Sequence, residues 1–401
     1  MANGAVDIQR PRTSPTLPLD VHRKGREPPR SRSQTFEELV AGQPWGVRNQ
    51  RWLAARSVLG PVGATLRSAD SLRRAQGRLL DRAGLAPQPA PSRIQLATPA
   101  FRLRSYGQAT GAGRPVLIVA APIKRAYIWD LGPNASPIRL LLDAGLAVHL
   151  LEWLDPSPAD VDAGLDRYVE RISAAVDATG DTPVLLGHSL GGTLAALFCA
   201  RYPQRAAGLA LVEAPLHFGS DAGAFAPVVA ASPPAEWMQE GFGLVPGVFL
   251  DVVTAAAAPR EFVFERYADL WTSAMSGRLR LHLQVLRWTM DECALPGRLV
   301  ADVVEQLYRK DRFHRGELVI DGSRVGPMTL TVPLLNVIDP LDDAIPATAI
   351  TPFHEAAASP HKALLEYRGE RGTALRHIGV LVGPGALTAI WPQVMDWVAN
   401  R

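Results

Sequence analysis

Residues 183–193 read PVLLGHSLGGT, and few local patterns restrict a fold so strongly. An apolar run of strand length leads into Gly187-His188-Ser189-Leu190-Gly191, and TLAALFCARY follows with a helical pattern. A strand that turns into a helix here must bend so sharply that the serine backbone is strained, and the flanking glycines relieve the crowding. The pentapeptide alone is a weak signal; the strand before it and the helix after it make it specific. Ser189 is then held clear of a sheet at a helix N-terminus, where developing negative charge is favoured. That is the setting of a nucleophile, with Gly187 and Gly191 forming its elbow. His188 points away from Ser189 in such a turn and is expected to pack or support, not to act as base.

The surrounding text repeats the strand–helix alternation. FRLRSY (101–106) alternates at period two, whereas PVLIVA (115–120), LAVHLLE (146–152), PVLLG (183–187), LALVE (209–213), VPLLNVI (332–338) and ALLEY (363–367) read as strands, several buried on both faces. Between them lie amphipathic helices, one opening at Ser136-Pro137 and stopping near Gly145. The fold class is α/β, with a mostly parallel central sheet flanked by helices. The long interval between Glu213 and Val332 is abnormal for a structureless loop and contains helix-like stretches such as FVFERYADLWTSAM and LVADVVEQLYRK. It is expected to be an inserted helical cap over about 217–330.

A nucleophilic serine needs a base, and the base needs an acid, in the chain order Ser, Asp, His. After VPLLNVI comes DPLDDAIP, which offers Asp339, Asp342 and Asp343. Asp342 fits best, because D-x-x-I-P places a carboxylate beyond the strand and a proline at the next helix start. Its work would be to accept the imidazole N–H and fix the tautomer. His377 is the expected base: it lies in a glycine-flanked loop after the last strand and before the final helix. His361 precedes that strand and His354 lies in a helix pattern. The oxyanion hole needs two backbone donors, and Leu190 supplies one. The other is expected from the turn after PVLIVA, Ala-Pro-Ile-Lys at 121–124, where Pro122 has no N–H and Ile123 is the candidate donor. No phosphate loop, zinc-ligand spacing or dinucleotide fingerprint occurs, so the expected chemistry involves no metal and no bound cofactor.

With 47% apolar and 20% charged residues, the 401-residue chain has the balance of a soluble globular protein. Residues 1–34 carry seven Lys/Arg against three Asp/Glu, leaving 35 against 36 in the rest of a chain whose totals are 42 and 39. The positive charge thus belongs to a Pro-, Arg- and Ser-rich tail expected to be disordered, and gives no warrant for nucleic-acid binding by the body. Residues 35–94 read as a helical segment plus a Pro-rich linker (AGLAPQPAPSR, 83–93), with the main domain running over 95–401. The helix interleaves Leu66, Leu72, Leu79 and Leu80 with arginines; it either packs on its own domain or lies on a lipid or polymer surface. Two cysteines, Cys199 and Cys293, make a poor disulfide framework. No signal-peptide core opens the sequence and no apolar run reaches ~18 residues, so the expected location is cytoplasmic.

Beyond the elbow, RPVLIVAAPIKRAYIWDL (114–131), VHLLEWLDPSPAD (148–160), LDRYVERISAAVDATGDTPVLLGHSLGGT (165–193), WTMDECALPG (288–297), RGELVIDGSRV (315–325), VPLLNVIDPLDDAIP (332–346) and HIGVLVG (377–383) resemble the polyhydroxyalkanoate synthases, a family of the α/β-hydrolase fold. The resemblance runs from about residue 95 to residue 401. It implies a nucleophile at Ser189, an acid at Asp342, a base at His377, and a cap over a deep acyl pocket. It departs in one respect: the family's pattern carries cysteine where this chain has Ser189. A serine oxyester lies lower in energy than a thioester, so its formation from an acyl thioester is downhill and suits hydrolysis or single transfer better than repeated hand-over.

The function expected is therefore a serine-dependent hydrolase of carboxylic esters or thioesters, with hydroxyacyl groups as candidates. The alternatives are an acyltransferase polymerising hydroxyacyl-CoA, and a catalytically silent granule-associated scaffold. The partners expected are a small-molecule acyl ester or acyl-CoA and no nucleic acid. Contact of the N-terminal helix with a polyester granule or lipid surface, and a homodimer, are further candidates.

Overall fold

The computed structural model describes residues 45–107 and 113–401, with side chains from residue 60 onward; the basic tail expected over 1–34 lies outside the described residues. The frame is an eight-stranded sheet of β1 (Ser92–Ala97), β2 (Phe101–Tyr106), β3 (Pro115–Val119), β4 (Ala147–Trp153), β5 (Val184–His188), β6 (Gly208–Val212), β7 (Leu334–Ile338) and β8 (Lys362–Glu366). Their order across the sheet is β1-β2-β4-β3-β5-β6-β7-β8. The first two pairings are antiparallel and every pairing from β4 onward is parallel.

Every residue of β3, β5, β6 and β7 is buried. These strands read as unbroken apolar runs because helices cover both of their faces. β1 escaped the sequence reading, which placed a connector up to residue 93 and started the domain near 95. It is an edge strand, almost wholly exposed, and its register shifts between Ile94 and Leu96. SRIQLA therefore has no core face to impose a period.

The crossovers follow local signals. In α2 (Pro137–Asp143) Ser136 Oγ accepts the Arg139 N–H at 3.0 Å, with proline at the first helical position. α3 (Leu165–Thr179) buries Leu165, Val169, Ile172 and Val176 on one face and ends at Gly180, whose φ of +83° suits a residue without Cβ. α4 (Ser189–Arg201) is buried from Gly191 to Ala200, as a central helix with no polar face must be. Residues between β6 and β7 supply α5 (Phe225–Ala231), α6 (Glu236–Phe242), α7 (Gly247–Ala257), α8 (Arg266–Met275), α9 (Leu279–Thr289) and α10 (Gly297–Asp302). A hairpin at Leu318–Ile320 and Ser323–Val325, inside the range expected for the cap, sits on the sheet's own helices: Arg201 of α4 donates to Ile320 O and Asp321 Oδ2. The chain closes with α11 (Thr351–Ala356), α12 (Arg376–Val382), α13 (Pro384–Ala389) and α14 (Trp391–Ala399).

The long helix α1 (Trp45–Leu80) docks by a face other than its leucine stripe. Leu72 and Leu79 are 62% and 59% exposed. Among its described side chains the buried positions are Gly63, Asp70 and Gly77, seven residues apart. An added Cβ would lie 3.0 Å from the Phe242 ring at Gly63 and 2.8 Å from the Arg287 guanidinium at Gly77, so glycine permits the close approach. Asp70 accepts the Gly247 and Val248 N–H groups at 3.1 and 2.6 Å and so caps α7 from another helix. Arg73 reaches Asp251 at 2.6 Å and Glu292 at 3.1 Å. Among the described residues, no helix is long and apolar enough to cross a membrane.

Candidate active site

β5 passes directly into α4 at Ser189, whose φ of +53° puts a non-glycine residue in the left-handed region. The surrounding glycines explain how the backbone closes so tightly. A Cβ at Gly191 would sit 2.3 Å from the Val119 carbonyl at the end of β3, and one at Gly187 would sit 2.5 Å from Gly192 Cα. Gly192 in turn faces the Ala214 Cβ, 2.5 Å from where its own would lie. Each is therefore a packing necessity of the turn. Ser189 opens a thirteen-residue helix, so its hydroxyl stands at the positive end of the helix dipole.

The loops at the C-terminal ends of β7 and β8 bring Asp342 and His377 together. His377 Nδ1 lies 2.8 Å from Asp342 Oδ2, and Asp342 Oδ1 accepts the Ala344 and Ile345 N–H groups at 2.7 and 3.1 Å. Burial opposes ionisation of Asp342, but His377 and the two amides outweigh it and hold the carboxyl below its ordinary range. Burial likewise opposes charge on His377, and Asp342 together with Glu213 reverses that, raising its pKa well above that of a free imidazole. Asp339 and Asp343 go elsewhere. Asp339 pairs with Arg376 at 2.6 Å, and Asp343 lies 3.3 Å from Arg260.

His377 sits in a different local structure from the one expected. It is the second residue of α12, not a loop residue; the loop before it holds Gly369 and Gly372, both with positive φ. The helix begins this early because Gly379 packs under Tyr367, whose hydroxyl would be 2.9 Å from a Cβ there, and because Glu261 Oε1 accepts the His377 N–H at 2.9 Å. His188 packs its ring on that of His377, centroids 4.4 Å apart, and its Nε2 lies 3.0 Å from the His377 carbonyl oxygen. Burial lowers its pKa well below the usual value, which keeps it a neutral donor to that carbonyl. His354 pairs with Asn336 at 2.8 Å, and the His361 carbonyl accepts the Leu334 N–H, both away from Ser189.

Two carboxyls at the site were missed. Glu213, directly after β6, is fully buried with its Oε2 3.0 Å from His377 Nδ1, and burial with the nearby Asp342 charge pushes its pKa up to about 8. Glu261, whose Oε1 accepts the His377 N–H, is also buried, and burial beside Asp342 raises it to about 7. A lone glutamate after a strand has no motif of its own; the available signal was a charged residue closing an otherwise fully apolar run, LALVE.

Ser189, Leu190 and Ile123 line a cavity of about 920 Å³ whose remaining walls are almost entirely apolar, including Phe225 of α5, Met238 of α6, Leu250 of α7 and Val304 after α10. Ser189 and Ile123 also border a smaller pocket of about 140 Å³ with His188 and His377. No hydrogen bond joins the Ser189 hydroxyl to the His377 ring among the described residues. Leu190 lies in the first turn of α4, where amide N–H groups have no intrahelical acceptor. Cys199 and Cys293 are both buried and free; burial raises both thiols, Cys293 to about 12. His217, Asp311 and His314 have ligand-type atoms within 4.8 Å of one another, but both His217 nitrogens already face carboxylates, Asp311 at 2.7 Å and Asp221 at 3.1 Å.

Comparison with known proteins gives a consistent picture. The α/β hydrolase fold family model matches residues 139–261. The poly(3-hydroxyalkanoate) polymerase subunit PhaC of Haloferax mediterranei is 31% identical over 297 residues, covering 72% of this chain and 59% of that protein. The PhaC subunit of Haloarcula marismortui is 28% identical over 304 residues, covering 72% and 61%. That of Allochromatium vinosum is 25% identical over 302 residues, covering 72% and 81%. The chain thus spans about three-fifths of the length of the first two relatives.

Proposed function

Because the chain is a polyhydroxyalkanoate synthase-like member of the α/β-hydrolase family, we propose that it is a serine-dependent hydrolase of carboxylic esters or thioesters working through an acyl-enzyme. The observation that carries this reading is Ser189 on a strained strand-to-helix turn, opening onto a large apolar cavity beside the hydrogen-bonded His377–Asp342 pair. Ser189 Oγ attacks the acyl carbonyl carbon while His377 Nε2 takes its proton. The Leu190 and Ile123 amides hold the oxyanion. The tetrahedral intermediate expels alkoxide or thiolate, which leaves with the proton from His377. Water, deprotonated by the same imidazole, then releases the acid and restores Ser189. Asp342 keeps Nδ1 protonated, so that Nε2 is the basic nitrogen, and stabilises the imidazolium.

Helices α5 to α10 and the segment to Tyr308 act in this reading as a cap whose apolar side chains receive the acyl chain and exclude water. Serine in place of the family's cysteine favours release of free acid, because the oxyester lies below the thioester that forms it.

A second reading, repeated acyl transfer from a hydroxyacyl-CoA, is favoured by the polymerase names of the relatives. The product separates the two. Incubation with 3-hydroxybutyryl-CoA and with short and long p-nitrophenyl esters, using wild type and Ser189→Ala, should give Ser189-dependent free acid with no chain growth. Insoluble polyester that grows in a Ser189-dependent way would replace the first reading by the second.

A further inference from the structure

Two carboxyl groups from neighbouring strands aim at one ring nitrogen. Asp342 comes from the loop after β7 and Glu213 from the end of β6, and their oxygens lie 2.8 and 3.0 Å from His377 Nδ1. Glu213 has no exposed surface, and neither of its oxygens has a hydrogen-bond partner of good geometry. Its backbone is pinned across the sheet by a 2.8 Å bond from its N–H to the Val337 carbonyl, and its φ is +44°. A buried, unsatisfied carboxyl on a strained backbone is a poor packing element; an apolar residue of similar size would serve the core better. Its Oε2 faces the His377 Nδ1 at 3.0 Å, with the His188 ring in the same cluster.

We propose that Glu213 is a second acid of the site, a positioning residue that shares the His377 Nδ1–H with Asp342 and takes over as its acceptor when the Asp342 carboxylate is removed. The inference rests on Ser189 and His377 being nucleophile and base. Burial and the Asp342 charge together keep Glu213 protonated in the native site. Replacing Asp342 by asparagine removes one repulsive charge, so Glu213 ionises more readily and supplies the missing anion from its present position. In an ordinary triad the same replacement leaves the imidazole in the wrong tautomer, with a loss of about 10⁴.

The test is the rate at which a p-nitrophenyl alkylphosphonate labels Ser189, a step that needs the nucleophile and base but no natural substrate. It is read for wild type, Glu213→Gln, Asp342→Asn and the double variant. Glu213→Gln is nearly isosteric with the protonated acid, which keeps the fold, and thermal melting checks this. Glu213→Gln alone should slow labelling by no more than a few-fold. Asp342→Asn should slow it about 100-fold, and the double variant by at least about tenfold more. The low-field Nδ1–H proton resonance of His377 should shift in Glu213→Gln, persist in Asp342→Asn and vanish in the double variant; a merely structural glutamate would not move it. Equal labelling rates for Asp342→Asn and the double variant, with the resonance unaffected by Glu213→Gln, would overturn the inference while leaving the hydrolase reading intact. Failure of wild type to be labelled would remove both.

Discussion

Asp342 and His377, 35 residues apart in sequence, meet at 2.8 Å because the parallel strands β7 and β8 deliver their following loops to the same end of the sheet. In the proposed mechanism this pair sets where the acid limb of the pH profile lies. The base works in its neutral form, and its partners raise its pKa, so kcat/KM should fall as pH drops through that raised value. Removing the Asp342 charge removes the larger of the raising influences. In a Glu213→Gln background, where no second carboxyl can take over, the acid limb of Asp342→Asn should therefore move to lower pH, as measured by kcat/KM on an activated ester. A limb that stays in place would mean that Asp342 does not govern His377.

Glu213 links the site to stability. Its pKa rises from 4.5 to about 8 on folding, so its favourable contribution is complete below about pH 4.5 and is lost as pH rises through 8. Glu261 acts in the same direction with a folded value of about 7. Urea denaturation should therefore show wild type weakening between pH 5 and pH 9. Glu213→Gln should flatten that slope, gaining on the order of a few kcal/mol at the alkaline end relative to wild type.

Asp70 makes a different kind of contact, capping α7 from α1 through two amide bonds. Asp70→Ala should cost about 1–2 kcal/mol in a denaturant titration, and Asp70→Asn, which keeps an acceptor, should recover part of it. An Asp70→Ala protein of unchanged stability would show that α1 is held by its arginine pairs alone.

How far the sequence reaches is visible in particular residues. Strands buried on both faces announce themselves as apolar runs, and the ends of two of them lead to Ser189 and Asp342, whereas His377 follows β8, an edge strand with no fully buried residue. β1 carries no such mark, since Ser92, Arg93, Ile94 and Gln95 are all exposed. The docking face of α1 is invisible to hydrophobic periodicity because Gly63, Asp70 and Gly77 bind through small size and capping, leaving Leu72 and Leu79 in solvent. Glu213 and Glu261 become meaningful only when His377, 116 residues beyond Glu261, folds into contact with both.

The cavity sets an expectation for acyl length. Its volume of about 920 Å³ and apolar walls favour long aliphatic chains over short ones. Val304→Trp, which fills one wall, should lower kcat/KM for long-chain p-nitrophenyl esters by at least about tenfold while changing short-chain turnover little. Equal losses at all lengths would place the acyl chain elsewhere.

The most direct measurement is trapping of the acyl-enzyme: a p-nitrophenyl ester is mixed with the protein, quenched in acid within the first turnover, and the digested chain is weighed. The expected result is an acyl mass on the peptide carrying Ser189, absent from Ser189→Ala and accumulating in His377→Ala far more slowly. An acyl group on the Cys293 peptide, or an unchanged adduct in Ser189→Ala, would contradict a serine nucleophile at the elbow.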